Sequence, residues 1–516
     1  MGAVTSVVIV GGGTAGWITA GVLAAWHRRD GQSTLSIQLI ESPNIPIIGV
    51  GEGTWPTMRA TLRSIGVSEH DFVRECDAAF KQGSKFCRWV DGSDADCYYH
   101  PFDLPLGFFE TNLVPHWLER DRGLSFSQSV CPQEEVCEAF LAPKSPYTPE
   151  YAGTTNYAYH LNAGKFSEFL KAHCTQKLGV ELILDDVVDV QAADNGDIAS
   201  VLTKEHGAVA GDLFIDCTGF RSLLLGGHYG VGRRSVGDTL FADTAIAVQV
   251  PYADNQPIAS QTTSTAQEAG WIWDIGLRTR RGVGHVFSSA HTTEEQASEA
   301  LLSYVKSTGG DTANLSMRTL ALNAGYRDEF WRNNCVAVGL SAGFLEPLEA
   351  SAIVLIELSA KMIADQLPAT RDAMDIIAKR FNRTFHYRWE RIIEFLKLHY
   401  LLSKRTDSAF WRDNRAENSI PASLQENLRL WAEQPPWQFD FDHQNEVFPA
   451  ASYQYVLYGM GFRTRAAPRG LADADRRAAE LQFNKVANAA RSLVSKLPSH
   501  KDYLTALNDP EVMKAS

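Results

Sequence analysis

At 516 residues, with 45% apolar and 21% charged side chains, the chain is long enough for about two to four domain-sized units around large buried cores. Its formal charge of -13 excludes a nucleic-acid partner, because phosphate contacts need clustered Lys and Arg that the sequence does not show. No run reaches the length of a membrane span, and the apolar N-terminal stretch is broken by Gly11, Gly12 and Gly13 with no basic segment before it, which argues against a signal peptide and for a cytoplasmic protein. The eight cysteines are scattered. The closest pair noted, Cys131 and Cys137, lacks C-x-x-C spacing and a nearby His pair, so the expectation is neither a zinc site, nor any other metal, nor a disulfide framework, but reduced cysteines in or near the core.

SVVIVGGGTAGWITAGVLAAW reads as a strand, a tight turn and a helix. Gly11, Gly13 and Gly16 fit G-x-G-x-x-G: the first permits the turn, the second lets backbone approach a pyrophosphate, and the third lets the helix pack on its strand. Thr14 and Ala15 open the helix, whose unpaired N–H groups face the phosphates. STLSIQLIE supplies a second strand ending at Glu41, about 25 positions past the last glycine, where the fingerprint expects an acid for a ribose hydroxyl. In the loop SPNIPIIGVGEGTWP, Gly49 and Gly51 permit close approach to the cofactor.

Helical spacing then runs to Phe80, with Lys81 at the junction to a strand-like FCRWV. About 91–155 is aromatic, Pro-rich and weakly periodic, an irregular insertion that could wall a pocket. After the helix candidate HLNAGKFSEFLKAHCTQKLG come strand patterns in VELILDDVVDVQA, ASVLTKE and AGDLFIDCTGFRSLL. The last resembles the second cofactor-contacting strand of glutathione-reductase-like flavoproteins, and it makes Asp216 and Gly219 candidates beside the ribose and flavin. TAIAVQVPY, GWIWDIGLRTRRGVGHVFSSA and CVAVGLSAGFLEPLEASAIVLIEL suggest a second, partly antiparallel sheet leading into a buried helix. Beyond Ser351 the chain is mostly helical, with an apolar stripe from Met374 to Leu396 and a final charged helix from about Gly470 to Leu497. The expected fold is α/β: a glutathione-reductase-like FAD-binding module over 1–350 and a mostly helical substrate module over 351–516.

No second nucleotide fingerprint stands in strand-turn-helix context, so reducing equivalents must arrive from outside. Trp271, Trp273 and Ile275, taken with GGGTAGW, FKQGSKF, YYHPF, FLEPLEAS and SKRTDSAFW, resemble the flavin-dependent tryptophan halogenase family, in family order along nearly the whole chain. The family pattern W-x-W-x-I-P departs here at Gly276.

The resemblance implies that FAD, reduced by a separate NAD(P)H flavin reductase, yields hypohalous acid with dioxygen and bromide or chloride, and that this oxidant travels to a separate aromatic substrate. It assigns Lys81 as the residue that holds the oxidant, with Lys85 as the neighbouring alternative. The physical need is an ammonium that donates to hypohalous acid, or a free amine that forms a haloamine. It selects Glu349, over Glu346 three residues earlier, to stabilise the cationic ring and take its proton. It places halide at the backbone N–H groups of Ser351 and Ala352, in Ala-Ser-Ala where the family carries Ser-Thr-Gly.

His100 and Phe102 match residues that stack on indole, and Phe448 stands where relatives carry a tryptophan. His100 fits a hydrogen-bonded structural histidine equally well. The resemblance implies that tryptophan-specific relatives hold the amino-acid zwitterion with a tyrosine pair and a glutamate in the segment before this region, and DFDHQNEVFPAASYQY has no tyrosine pair in that place, so free indole or another uncharged or tethered aromatic is the expected substrate. The competing readings are a flavin monooxygenase that oxidises substrate directly, which bulky Trp271 and Trp273 would hinder, and a flavin-binding module without catalysis. The chain is also compatible with a homodimer.

Overall fold

A computed structural model describes residues 3–29, 32–45, 51–120, 123–443, 445–465 and 472–507. Spatial proximity divides the chain into one unit of Met1–Ala78, Leu161–Val236 and Asn323–Trp389 and another of Ala79–His160, Gly237–Leu322 and Glu390–Ser516. The units are interleaved, whereas the sequence suggests one boundary at 350. The reason is strand pairing between distant segments.

In the first unit a six-stranded sheet has the order Glu181–Leu184, Ser36–Glu41, Ser6–Val10, Leu213–Asp216, Cys335–Ala337, Trp331–Arg332. All neighbours but the last pair are parallel. Val7, Val8, Ile9 and Val10 are all buried, as a parallel strand covered on both faces requires, which is why the run shows no alternation. Helix Thr14–Trp26 packs against helices Ala163–Lys177 and Ser351–Asp365. VELILDDVVDVQA, read as one strand pattern, splits at Asp185: Glu181–Leu184 joins the parallel sheet and Val187–Ala192 enters a separate antiparallel sheet with Ile198–Thr203 and Gly207–Ala210.

The second unit holds the expected second sheet without CVAVG, whose strand Cys335–Ala337 joins the parallel sheet instead because it pairs with Leu213–Asp216. The order of the second sheet is Arg318–Ala321, Thr244–Pro251, Arg280–Phe287, Gly270–Gly276, Thr262–Gln267, Gly83–Cys87, Cys97–Pro101. Only Thr262–Gln267 with Gly83–Cys87 is parallel. On one face Ile246, Val248, Ile272 and Val283 pack against Leu301 and Val305 of helix Glu294–Ser307. The insertion at 91–155 contributes an edge strand and three short helices, Val114–Glu119, Phe126–Val130 and Gln133–Glu138. Helices of five or six residues are too short to show a period. Trp117 and Phe126 bury against Tyr455 and Tyr458 of helix Ala450–Gly459 and Phe483 of helix Asp473–Lys496.

Helical spacing fails before Phe80. The helix ends at Glu75, and Ala79–Lys81 is a strand paired antiparallel with residues 158–160. The stripe on helix Arg371–Leu401 is buried at Met374, Phe381, Phe385, Trp389, Ile392 and Leu396. Among the described residues no helix is long and apolar enough to cross a membrane.

Candidate active site

In the first unit the glycines divide the work as the fingerprint requires. Gly11 has φ +115, and a Cβ there would meet the Cys217 carbonyl oxygen at 2.2 Å; a Cβ on Gly16 would meet the Gly11 carbonyl oxygen at 1.9 Å. Gly13 is different, with nothing within 4 Å of an added Cβ. It is the N-cap of helix Thr14–Trp26, no side chain caps that end, and Thr14 and Ala15 are half-buried. Open space at an uncapped helix N-terminus fits a pyrophosphate.

Glu41 ends its strand beside this turn. Its carboxylate accepts from the Trp17 indole at 3.1 Å and from the Lys171 ammonium at 2.8 Å, which leaves lone pairs for a ribose hydroxyl. Gly12 must be glycine, since a Cβ would stand 2.2 Å from Glu41 Oε2. Gly51 lies half-buried in the short strand Gly51–Gly53, and burial pushes the neighbouring Glu52 carboxyl up to about 7. Gly49 lies outside the described residues.

Asp216 is placed differently from a ribose ligand. Fully buried, it accepts from Thr218 N and Oγ1, Ser222 Oγ, Leu224 N and Leu225 N at 2.6 to 3.2 Å. Its oxygens are spent on the loop that carries Gly219, which has φ +68 and open space at its Cβ position. Gly339, which the sequence reading missed, stands two residues past the strand Cys335–Ala337 of the same sheet; it has φ +71, and a Cβ there would press on Ala15 at 2.7 Å. An apolar strand breaking at glycine, CVAVG, was the available signal.

Glu346 and Glu349 are both buried. Glu349 (φ 62) and Ala350 (φ 54) both adopt left-handed backbone, and the Trp55 indole donates to the Glu349 carbonyl oxygen at 2.8 Å. This kink opens helix Ser351–Asp365, whose N-cap, Ala350, supplies no side-chain cap, with Ser351 buried and Ala352 exposed. The first-turn N–H groups therefore form an anion-favouring end.

In the second unit Lys81 is buried, with Nζ 5.2 Å from the centroid of the half-buried Phe102 ring. Lys85 is instead paired with Glu138 at 2.5 Å, and Tyr99 donates to the same carboxylate. His100 is hydrogen-bonded as in its structural reading, with Nε2 2.9 Å from Ser452 Oγ, and its ring neighbours Phe395, Phe448 and Tyr455. Phe448 is buried and stacks on Phe395 with ring centroids 3.8 Å apart. Trp271, Trp273 and Ile275 share one face of their strand, opposite Ile272 in the helix-covered core. Trp271 is buried beside Trp89, and half-buried Trp273 lies over Gly284, where a Cβ would meet its ring at 2.1 Å.

Several residues that hold this cluster escaped the sequence reading. Gln82 is fully buried: its carbonyl accepts from Phe102 N at 3.1 Å, its Oε1 accepts from Thr155 at 2.6 Å, and its Nε2 donates to Leu141 O at 2.9 Å. Gln133 Oε1 accepts from Phe102 N and Asp103 N, both at 2.8 Å. His500 Nε2 accepts from Phe80 N at 3.0 Å.

The parallel sheet, the glycine fingerprint and the acid on the second strand define a dinucleotide-binding α/β protein. Comparison with known proteins carries this further. The tryptophan halogenase family matches residues 6–476. The tryptophan halogenase of Shewanella frigidimarina has a crystal structure 49% identical in sequence, with TM-score 0.95 and 98% of each chain covered. Tryptophan 6-halogenase SttH of Streptomyces toxytricini is 34% identical, over 97% of this chain and 98% of its own. The structure of BrvH, a flavin-dependent halogenase from Brevundimonas sp. BAL3, is 31% identical with TM-score 0.86, covering 98% of this chain and 99% of its own.

The chain belongs to the flavin-dependent tryptophan halogenase family. It is a halogenase rather than a hydroxylase, uses FAD and halide, takes reduced flavin from a separate reductase and acts on an aromatic substrate.

Proposed function

We propose that this halogenase acts on an uncharged or tethered indole-type aromatic rather than on free tryptophan. The observation that carries the reading is the surroundings of His100. Of the three tyrosines in the nearby helix Ala450–Gly459, Tyr453, Tyr455 and Tyr458, two are bonded within the protein: Tyr455 donates to Asp103 O at 3.0 Å and Tyr458 is bonded to Thr464 Oγ1 at 2.9 Å. Those hydroxyls are committed inside the protein. A zwitterion buried without partners costs several kcal/mol, whereas a flat neutral ring suits Phe102, Phe448 and His100.

Bound reduced FAD supplies, with dioxygen and halide, the hypohalous acid. Gly11, Gly13, Thr14, Ala15, Gly16, Glu41, Gly49, Gly51 and Gly219 hold the cofactor, Asp216 acts through its loop, and Ser351 and Ala352 hold halide with backbone N–H groups. Trp271, Trp273 and Ile275 line the oxidant's route. Lys81 donates a hydrogen bond to the hypohalous oxygen, which fixes the electrophilic halogen and raises its reactivity. Glu349 stabilises the cation formed on the ring and accepts the departing proton. We place the enzyme in the cytoplasm, which cell fractionation tests. We assign a homodimer, which light scattering tests.

The decisive assay supplies FAD, NADH, a flavin reductase and bromide or chloride, and offers indole and tryptophan in competition. Haloindole dominating by mass spectrometry supports the reading; halotryptophan dominating overturns it.

A further inference from the structure

Not every cysteine is the reduced, core-buried residue the sequence suggests: Cys97 is exposed and Cys87 half-buried. Cys87 ends the strand Gly83–Cys87, Cys97 opens the edge strand Cys97–Pro101, and the register sets them directly opposite each other. Phe102 N bonds to Gln82 O and Arg88 N to Asp96 O, so the even-numbered positions of the first strand form the hydrogen-bonded pairs. Cys87 and Cys97 therefore fall on a non-hydrogen-bonded pair, where opposed side chains lie closest and Cα atoms stand at disulfide range.

The register faces the two sulfurs toward each other across the strand pair. Cys97 is held below the usual thiol range, first by hydrogen bonding to the facing Cys87 thiol and then by the Lys85 ammonium, against partial desolvation and the Asp96 and Glu138 carboxylates. Cys87 is pushed up. The pair thus consists of an exposed thiolate-forming sulfur and a protonated resolving thiol.

We propose that Cys87 and Cys97 form a redox dithiol that consumes hypohalous acid escaping from the halogenation reaction and closes as a reversible cross-strand disulfide. The Cys97 thiolate attacks the halogen of hypohalous acid; the S–X bond forms as the X–O bond breaks, and hydroxide leaves. The Cys87 sulfur then attacks Cys97; the S–S bond forms, halide departs with the S–X electron pair, and the Cys87 proton neutralises the hydroxide. Sulfur loses two electrons and the halogen gains them. An external thiol reopens the pair. The inference rests on the enzyme's halogenase activity for its oxidant and on register for its geometry.

The test uses the full-length flavin-loaded enzyme, reduced and then freed of reductant. One sample receives stoichiometric hypochlorite, and another turns over with flavin reductase, NADH and bromide but no aromatic substrate. Both are capped with iodoacetamide and cut with trypsin. Arg88 lies between the two cysteines, so their disulfide appears as two joined peptides.

The joined pair is expected in both samples, absent after dithiothreitol and strongly reduced when bromide is omitted. Cys97→Ser is expected to abolish it while leaving the initial halogenation rate unchanged. Full capping of Cys97 after hypochlorite overturns the geometry. A disulfide with hypochlorite but not in turnover, or one indifferent to bromide, overturns the scavenging role while leaving the geometry intact.

Discussion

Lys81 holds its ammonium 5.2 Å from the centroid of the Phe102 ring, and the residue following Lys81, Gln82, anchors the other partner through its carbonyl bond to Phe102 N. The ring face favours the charged ammonium and helps to keep a donor in place. Lys81→Met retains the apolar stem and removes the donor. Product formation is expected to fall by about 100-fold or more, with reduced flavin still reoxidised at the parental rate. Chromatography of product beside flavin absorbance separates the two. Halogenation that survives in this variant removes Lys81 from the chemistry.

Glu349 is fixed through its backbone, by left-handed φ and the Trp55 bond to its carbonyl, and not through its carboxylate alone. Glu349→Gln should leave the turn and the unfolding temperature intact. The variant loses the charge that stabilises the ring cation and the base that deprotonates it, so kcat should drop by roughly 100- to 10,000-fold with KM little changed. A change confined to KM would make Glu349 a binding group only.

Gly13 and Gly16 separate the cofactor site from the scaffold. Gly16→Ala drives a Cβ to 1.9 Å from backbone and should lower stability and flavin affinity together. Gly13→Ala meets no protein atom within 4 Å, so its unfolding temperature without flavin should match the parent, and only flavin binding should weaken. Calorimetry of the flavin-free protein and fluorescence titration with FAD read the two effects apart. Equal loss of stability in both variants would mean that Gly13 serves the fold.

The first sheet was legible because Val7 to Val10 form an unbroken β-branched run and the turn glycine after it sits at φ +115, a conformation that leaves few alternatives. The common face of Trp271, Trp273 and Ile275 follows from alternation alone. Lys81 was placed by resemblance, since a three-residue strand carries no period. Gln82, Gln133 and His500 were illegible for another reason. A buried polar side chain declares itself only through its partners, and His500 finds Phe80 across 420 positions. Asp216 shows the converse: the strand-end acid was found, yet its oxygens turned to the following loop rather than outward.

His500 makes that long-range contact pH-sensitive. It is fully buried, and accepting from Phe80 N requires neutral Nε2, with the proton on Nδ1 beside Ile258 O at 3.3 Å. Burial pushes its pKa from 6.5 down to about 4. Because the folded value lies below the unfolded one, this contribution to stability is complete above about 6.5 and is lost as pH falls toward 4, at about 1.4 kcal/mol per pH unit. His285, also pushed to about 4, acts in the same direction. Glu52, Glu134 and Glu357, raised to about 7, act oppositely, losing stability as pH rises from 4.5 through 7. The parent profile therefore mixes both signs, and only a difference isolates His500. His500→Gln offers an amide oxygen to Phe80 N that does not titrate. Between pH 6.5 and 5 the variant should lose about 2 kcal/mol less than the parent, read from urea unfolding at each pH. Parallel profiles would mean that His500 is not held neutral beside the strand of Lys81.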